Sequence, residues 1–151
     1  MFLTPTEIGE SMTLLYRPMI PNDYESVIAL WSETEGIGLS DADGKAEIFR
    51  FLVHNPDMSF VAIEYNDIIG AVLAGSDGRR GYLHHLAVKP PLRGRGIGRR
   101  LTDCCLEALQ KQGIAKCHVF VYPDNLLGMS FWNRAGFNKR SDLVICSKEM
   151  G

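Results

Sequence analysis

The segment "VKPPLRGRGIGRRLTDCC", residues 88–105, joins a strand-like apolar run to a helix-like run and decides how the whole chain is interpreted. A strand, a glycine-containing turn and a helix expose backbone N–H groups where the helix dipole favours negative charge. Glycine lets the backbone approach a ligand closely, and arginine adds forked hydrogen-bond donors. The segment predicts a phosphate-binding loop, with a helix cap beside a solvated basic patch as the alternative. Its glycines and arginines are Gly94, Gly96, Gly98, Arg93, Arg95, Arg99 and Arg100.

Two common phosphate motifs do not fit this segment. The P-loop needs Gly-Lys followed by Ser or Thr, whereas this chain has Gly98, Arg99 and Arg100 in succession. The dinucleotide fingerprint needs a glycine at position 99 and the first strand of a parallel βαβ unit, whereas this strand ends a run of short strands. The sequence therefore disfavours both kinds of nucleotide site.

The composition is that of an ordinary globular domain. The chain has 151 residues, 46% hydrophobic and 23% charged, with a net charge of -2, so it is no general polycation. No apolar run approaches the roughly 20 residues of a membrane span, and the first residues lack the features of a signal peptide. We expect a cytoplasmic protein with an N-terminal tail or extension at residues 1–12 and a single domain at residues 13–151.

The cysteines predict neither a metal site nor a disulfide framework. No two of them form a C-x-x-C pair, and adjacent cysteines are poorly spaced for binding a metal. We interpret them as reduced and mostly buried small apolar residues, and we expect no metal. They are Cys104, Cys105, Cys117 and Cys146.

Apolar periodicity predicts six strands and four helices after the tail. Asn22 or Asp23 is the expected cap of the first helix, and Asn125 that of the last. The predicted fold class is α/β in the mixed α+β sense, a central, mostly antiparallel sheet flanked by about four helices. The strands are "TLLYRP", "SFVAIEY", "IIGAVLAG", "GYLHHLAV", "KCHVFVY" and "LVICSKE". The helix after the loop has a predicted apolar stripe of Ile97, Leu101, Cys104 or Cys105, and Ala108.

Two motifs resemble the GCN5-related N-acetyltransferase (GNAT) superfamily. Arg93, Gly96 and Gly98 occupy the three defining positions of that family's Q/R-x-x-G-x-G/A motif. Downstream, "NLLGMSFWNRAGF" resembles a second family segment, with Asn125 and the Gly136-Phe137 pair in register. The order of predicted elements over residues 13–149 also resembles that of the family.

The resemblance implies an acetyl-CoA-dependent N-acetyltransferase with a parallel strand pair splayed at a bulge. Backbone groups of Leu86 and Val88 would then contact pantetheine and the thioester, and the loop from Arg93 to Arg99 would bind the diphosphate. The implied acetyl-CoA-binding residues are Leu86, Ala87, Val88, Arg93, Gly94, Arg95, Gly96, Ile97, Gly98, Arg99, Asn125, Ser130, Phe131, Trp132 and Arg134.

The implied reaction is direct attack of a primary amine on the acetyl thioester, and it needs the amine in its neutral form. A lysine-like amine has a pKa of about 10.4, so its deprotonation at pH 7 costs roughly 4 to 5 kcal/mol. His84 is our candidate base, acting directly or through water, because imidazole titrates near neutrality. Strand alternation places Tyr82 and His84 on one face and His85 on the other. A core or surface role is the alternative for each histidine.

Trp132 occupies a position where many members of the resembled family have a tyrosine that protonates the departing sulfur. An indole N–H is not a usable acid. Tyr82, Tyr122 and Ser130 are possible substitutes, and Leu86 completes the candidate catalytic set. The missing tyrosine also leaves open a catalytically weak acyl-CoA-binding module or sensor.

The acceptor is the least defined partner. The resemblance implies a small-molecule or peptide amine, and we expect neither nucleic acid nor membrane as a partner. The arginines could contact RNA or DNA, but no aromatic side chain lies among them for stacking. The chain could be a monomer or a homodimer.

Overall fold

The computed structural model describes residues 13–151, so the predicted tail at residues 1–12 lies outside the described part of the chain. Five strands form one sheet: Leu14–Pro18 (β1), Phe60–Glu64 (β2), Asp67–Ser76 (β3), Gly81–Val88 (β4) and Cys117–Val119 (β5). They lie side by side in chain order. β1 to β4 pair antiparallel, whereas β4 and β5 pair parallel. The predicted mixed, mostly antiparallel sheet is confirmed.

Four α-helices are complete within the described residues: Tyr24–Ser32 (α1), Lys45–His54 (α2), Ile97–Lys111 (α3) and Leu126–Arg134 (α4). Short 3-10 turns lie at Pro21–Asp23, Asp41–Asp43 and Pro90–Leu92. Within residues 13–151, no helix has the length and apolar character needed to cross a membrane.

The chain divides into two compact units. The first ends at Phe120, and its described residues include the sheet and α1 to α3. The second, Val121–Gly151, includes α4 and the C-terminal segment. A single acetyltransferase domain over residues 13–151 stays a prediction.

The C-terminal strand predicted from "LVICSKE" is wrong. Residues 143–149 belong to no strand, and Leu143, Val144 and Ile145 are all exposed. β-Branched and apolar residues favour an extended backbone, but a strand also requires a hydrogen-bonded neighbour. The local sequence does not specify that neighbour.

The main core of the first unit lies between the sheet and α1 with α2. Val27 and Trp31 of α1 are fully buried against Leu73 of β3 and Ala87 of β4, together with Ile48 of α2. Such close-packed apolar burial contributes most of the stability of a small domain. Packing against this core therefore fixes β3 and β4 beneath α1 and α2.

α3 packs on the opposite face of the sheet. Successive residues of a strand point to opposite faces of the sheet. Because Ala71 faces the main core, the α-carbon hydrogen of Gly70 that replaces a side chain faces α3. A Cβ atom at Gly70 would lie 3.0 Å from Leu101 Cδ1 and 3.4 Å from Ile97 Cγ2. The glycine therefore lets the first turns of α3 lie close against β3.

The predicted apolar stripe of α3 is right at three of its four positions. Ile97, Leu101 and Cys105 are buried, but Leu109 takes the place predicted for Ala108, and Cys104 is only half-buried. The described cysteines carry free thiols, and Cys146 is exposed rather than buried. Burial raises the pKa of the Cys117 thiol to about 11, which keeps it protonated at neutral pH.

Asp23 does not cap α1 through its side chain. Its carboxylate instead accepts two hydrogen bonds from Arg17, at 2.7 and 2.8 Å, and one from the Ile20 amide at 2.9 Å. The ion pair ties β1 to the turn before α1. Asn125 does cap α4, because its Oδ1 accepts from the Gly128 amide at 3.0 Å.

Candidate active site

A bulge interrupts β4 near its middle. Leu73 pairs with His84 and Ala71 with Ala87, so two steps along β3 match three steps along β4. His85 is the extra residue of the bulge. Its φ of 57° lies in the left-handed region, which residues other than glycine rarely adopt. The bulge changes which way the following residues face.

Pairing between β4 and β5 ends just before this bulge. Only Gly81, Tyr82 and Leu83 pair with β5, opposite Cys117, His118 and Val119. Within the described residues, Leu86 consequently has no register partner on either β3 or β5. The splayed parallel pair expected from the sequence is present.

The bulge overturns the predicted orientation of His85. Simple alternation placed it on the face opposite His84, but the extra residue turns it back toward α1 and α2. The His85 ring packs edge-on against Trp31, with centroids 5.1 Å apart, whereas His84 packs edge-on against Phe51 at 6.2 Å. Both histidines therefore face the same cavity.

Asp43 and His85 form a partly buried hydrogen bond between distant parts of the chain. Asp43 Oδ1 lies 2.9 Å from His85 Nε2, and their side chains are 8% and 20% exposed. The other carboxylate oxygen of Asp43 accepts from the Ser40 amide at 3.0 Å, and Tyr24 Oη donates to the Asp43 carbonyl at 2.8 Å. The 3-10 turn before α2 is thereby fixed against β4.

The cavity beside the histidines has a volume of about 520 Å³. Burial is the main cause that lowers the pKa of His84 below its usual 6.5; nearby His85 lowers it further, and Asp43 opposes both. The lowered pKa favours the neutral imidazole of His84 at pH 7, which is the form that accepts a proton. Besides the histidines, the lining includes Asp43, Glu47, Arg50, Phe51, Asn55 and Leu73.

Three nearly parallel rings lie where β4 and β5 part. Tyr82, His84 and Phe120 have centroids 5.9–6.4 Å apart, and their planes differ by at most 11°. Phe120 is 55% exposed, so the aromatic surface reaches solvent. Tyr82 and His84 share a face, as alternation predicts.

The glycine-rich loop before α3 is open and left-handed at two positions. Gly94 has a φ of 82° and Gly96 a φ of 80°, and a Cβ atom at either would meet nothing within 4 Å. Gly96 precedes the first residue of α3, whose first-turn amides, such as those of Ile97 and Gly98, have no acceptor within the helix. The open backbone and exposed amides fit the chemistry of a phosphate ligand.

The arginine side chains of this loop engage protein groups. Arg93 Nε donates to the Val88 carbonyl at 3.0 Å and ties the loop to the end of β4. Arg95 makes a bidentate ion pair with Glu64: its Nη2 donates to Oε2 at 2.9 Å and its Nη1 to Oε1 at 3.3 Å. Arg99 lies 3.5 Å from Asp103, one turn along α3. All three arginines are nonetheless exposed, so both the side chains and the backbone of this predicted anion site reach solvent.

The predicted residues beyond Phe120 lie in the second unit. Trp132 packs edge-on between Phe131 and Phe137, each 5.0 Å away between centroids. Tyr122, Ser130 and Arg134 are exposed, and Asn125 is engaged in the α4 cap. The structure thus gathers Tyr82, His84 and Leu86 on β4 and groups the aromatic candidates of the second unit among themselves.

Three contributors escaped sequence analysis. Phe51 of α2 and Asn55, the residue after the last of α2, line the cavity, and Glu64 of β2 binds Arg95. Helical spacing from Ile48 marks Phe51 as core-facing, but nothing in the sequence links Glu64 to Arg95 across 31 positions. The tertiary structure, which brings the loop before α3 next to the end of β2, joins the pair.

This combination of a five-stranded mixed sheet, a bulged and splayed β4 and a glycine-rich start of α3 defines a class of acyltransferases. The sequence model of the Acetyltransferase (GNAT) family matches residues 24–137, and the chain belongs to this family. The predicted family, fold class and N-acetyltransferase activity class are confirmed.

Named relatives agree with this assignment. The chain is 37% identical over 110 residues to an acetyltransferase of Pectobacterium atrosepticum, covering 72% of this chain and 77% of the relative. It is 30% identical over 129 residues to an acetyltransferase of Sodalis glossinidius, covering 85% and 90%.

Solved structures share the fold at lower identity. The PaiA N-acetyltransferase of Thermoplasma acidophilum, in complex with coenzyme A, superposes with a TM-score of 0.75 at 22% identity, covering 84% of this chain and 91% of that one. The aminoglycoside N-acetyltransferase AAC(6')-Iy, also in complex with CoA, gives a TM-score of 0.74 at 20% identity, covering 91% and 95%.

Proposed function

We propose that the protein transfers the acetyl group of acetyl-CoA to a primary amine of a small molecule or peptide by direct attack. The observation that carries the proposal is the position of His84. This half-buried imidazole, whose pKa is lowered by burial, lines a cavity of about 520 Å³ beside the bulge where β4 leaves β5. A base, a space for an acceptor and an unpaired strand segment meet there.

The loop from Arg93 to Arg99 binds the diphosphate of acetyl-CoA in this proposal. Support comes from the left-handed, open backbone at Gly94 and Gly96 and from the amides at the start of α3. Backbone amides at a helix N-terminus bind phosphate through hydrogen bonds and the helix dipole. Arg93 contributes by holding the loop to Val88, and Arg95 by its ion pair with Glu64.

The backbone of β4 after the bulge contacts pantetheine and the thioester. Leu86 has no register partner among the described strands, and Ala87 and Val88 continue the strand toward the loop. An N–H group directed at the thioester carbonyl would stabilise the oxygen that gains negative charge during attack. Leu86 thus acts through its backbone rather than its side chain.

His84 accepts the proton of the attacking amine, directly or through water. The burial that lowers the pKa of His84 also disfavours a charged ammonium in the cavity, so the acceptor enters a site that favours its neutral form. In water about four pKa units separate a lysine-like amine from an imidazole, and burial lowers both pKa values. General base catalysis of this kind contributes roughly 10²- to 10⁴-fold.

The departing sulfur needs less help than the amine. A cysteine-like thiol with a pKa of about 8.5 lies only about 2 kcal/mol from its thiolate at pH 7. Trp132 therefore does not preclude transfer, and Tyr82 or the exposed Tyr122 is available as a proton donor. Asn125, Ser130, Phe131, Trp132 and Arg134 are assigned to the coenzyme on their motif positions.

Purified protein incubated with acetyl-CoA and a panel of primary amines tests the proposal through release of free thiol. We expect amine-dependent thiol release and an acetylated amine by mass spectrometry, with tertiary amines as matched non-acceptors. Calorimetric binding of CoA without transfer to any amine would instead support an acyl-CoA-binding module. No binding of CoA would overturn the assignment of the loop as well.

A further inference from the structure

The left-handed backbone at His85 needs an explanation from its surroundings. A histidine with a φ of 57° adopts a conformation that L side chains rarely favour. Such conformations persist only where neighbouring contacts hold them, and they concentrate at functional sites. The bulge at His85 is also what separates Leu86 from the register of β3. Whatever holds His85 therefore determines where the Leu86 backbone lies.

Asp43 supplies the polar contact that holds His85. The 2.9 Å hydrogen bond joins side chains that are 8% and 20% exposed, and 42 positions separate the two residues in sequence. Trp31 packs edge-on against the same imidazole ring from α1. His85 is thus fixed from the side of the helices, because the β3 register has no partner for it.

Asp43 is itself immobilised, so it can serve as an anchor. Its backbone amide donates to the Ser40 carbonyl at 3.0 Å, and its Oδ2 accepts from the Ser40 amide. Tyr24 holds its carbonyl from α1. These contacts leave Oδ1 directed at His85, and both residues line the cavity assigned to the acceptor.

We propose that Asp43 is a positioning residue for the thioester site: its hydrogen bond to His85 holds the β4 bulge so that the Leu86 backbone faces the thioester. The proposal rests on the proposed acetyl transfer. It links the turn Ser40–Gly44, on the acceptor side, to the strand that would polarise the thioester. An acceptor in the cavity would contact the anchor of that strand directly.

A double-mutant cycle with Asp43→Ala and His85→Gly tests the link. Glycine tolerates a positive φ but cannot bind Asp43. We expect each single variant to lower kcat by about tenfold or more. Because both substitutions remove the same contact, the kcat of the double variant should lie within about twofold of that of the less active single variant. The Kd of CoA should stay nearly unchanged. Glu25→Ala, which removes an exposed carboxylate of α1, is the matched control and should behave like wild type.

A second measurement separates positioning from a merely structural role. In protein with ¹⁵N-labelled leucine, acetyl-CoA should shift the Leu86 amide resonance relative to CoA, and Asp43→Ala should abolish that difference. Asp43→Asn keeps the shape and can still hydrogen-bond a neutral imidazole. It should retain activity within about threefold. If Asp43→Ala does not fold, His85→Gly, which removes the same contact, takes its place: it should abolish the Leu86 difference that Asp43→Asn retains.

Several results would overturn the proposal. Losses that multiply in the double variant would mean that Asp43 and His85 act independently. An effect confined to the KM of the acceptor would make Asp43 a substrate ligand instead. A loss of about tenfold or more in kcat for Asp43→Asn would assign the role to the carboxylate charge. Absence of transfer by the wild-type protein would refute the proposed function, a separate failure.

Discussion

Two regions along β4 present opposite ways of building a binding site: the loop that follows Val88, called the open end, and the region around His84 and His85, called the enclosed end. After Val88, the loop at Gly94 and Gly96 is open, and a side chain at either glycine would meet no atom within 4 Å. Near the middle of the strand, His84 and His85 are enclosed by α1, α2 and the turn at Asp43. One end offers backbone groups to a ligand, and the other offers side chains.

This difference determines what each end can recognise. A backbone loop recognises a group that never varies, such as a diphosphate, because its amides are the same in every sequence. A cavity lined by side chains can change its acceptor by substitution while the strand between the two sites stays in place. In the proposed function, the fixed part of the reaction and the variable part therefore occupy separate positions along β4.

The largest expected effect lies at the enclosed end. His84→Ala should lower kcat/KM by roughly 10²- to 10⁴-fold with little change in the Kd of CoA, because the amine loses its base. In the wild-type protein, kcat/KM should fall as pH decreases through a value below 6.5, since burial lowers the pKa of His84 and only the neutral imidazole accepts a proton. Initial-rate assays across about pH 5–9, a range that brackets the titration of an imidazole, measure the loss in His84→Ala and the pH profile of the wild-type protein.

The matched control at the same end is Phe51→Leu, which changes the ring beside His84 but leaves the imidazole in place. We expect it to keep the acidic limb of the pH profile. If kcat/KM of His84→Ala still decreased at low pH, a group other than His84 would cause that decrease, and the enclosed end would not supply the base.

At the open end, Gly96→Val should weaken CoA binding by roughly 5- to 30-fold. A β-branched residue at positive φ costs about 1–2 kcal/mol or more, so the loop leaves its binding conformation. Gly78→Val provides the control, because Gly78 has a φ of 93° and equally open surroundings in the β3–β4 turn. Calorimetry with CoA should detect a change only for Gly96→Val. Equal losses for both variants would attribute the effect to general destabilisation.

A smaller effect distinguishes the two possible roles of Arg95. If Arg95 acts by holding the loop to Glu64, Glu64→Ala and Arg95→Ala should raise the KM of acetyl-CoA by the same factor, at most about fivefold for a partly exposed ion pair. A clearly larger effect of Arg95→Ala would indicate direct contact with the coenzyme. Steady-state kinetics at low and high salt compare the two.

The smallest expected effect is at Trp132. Trp132→Tyr restores the residue common in the family but should change kcat by less than about threefold, since deprotonation of the amine is the larger barrier. Trp132→Phe serves as the control for loss of the indole. An increase of tenfold in the tyrosine variant alone would show that protonation of the sulfur limits the natural enzyme.

The open end could be predicted from the sequence because its information is local. Glycine spacing, the arginines and the helix start lie within 13 consecutive residues, Val88–Arg100, and the elements around them follow from apolar periodicity. The enclosed end could not, because a bulge shifts the alternation by one residue and reverses His85. The contact of Asp43 with His85 depends on the register of the sheet and the packing of α1 and α2, which short-range patterns do not encode.

The limits of local patterns also explain the C-terminal error. "LVICSKE" has strong strand propensity, yet the structure gives these residues no strand neighbour. Cys117–Val119, with a similar composition, is a strand because β4 lies beside it. Strand propensity favours an extended backbone, but a strand forms only where the tertiary structure places a neighbouring strand beside the segment.

Gly70 shows how far the influence of a single missing side chain extends. It lies in the middle of β3, yet the helix seated on it carries the first-turn amides assigned to the diphosphate. A methyl group there would press on Leu101 and on the Ala87 carbonyl, 3.0 and 3.3 Å away, and displace the start of α3 by a few tenths of an ångström. In the proposed site, the affinity for the coenzyme therefore depends on a residue of β3 that lies beneath the helix and does not itself contact the ligand.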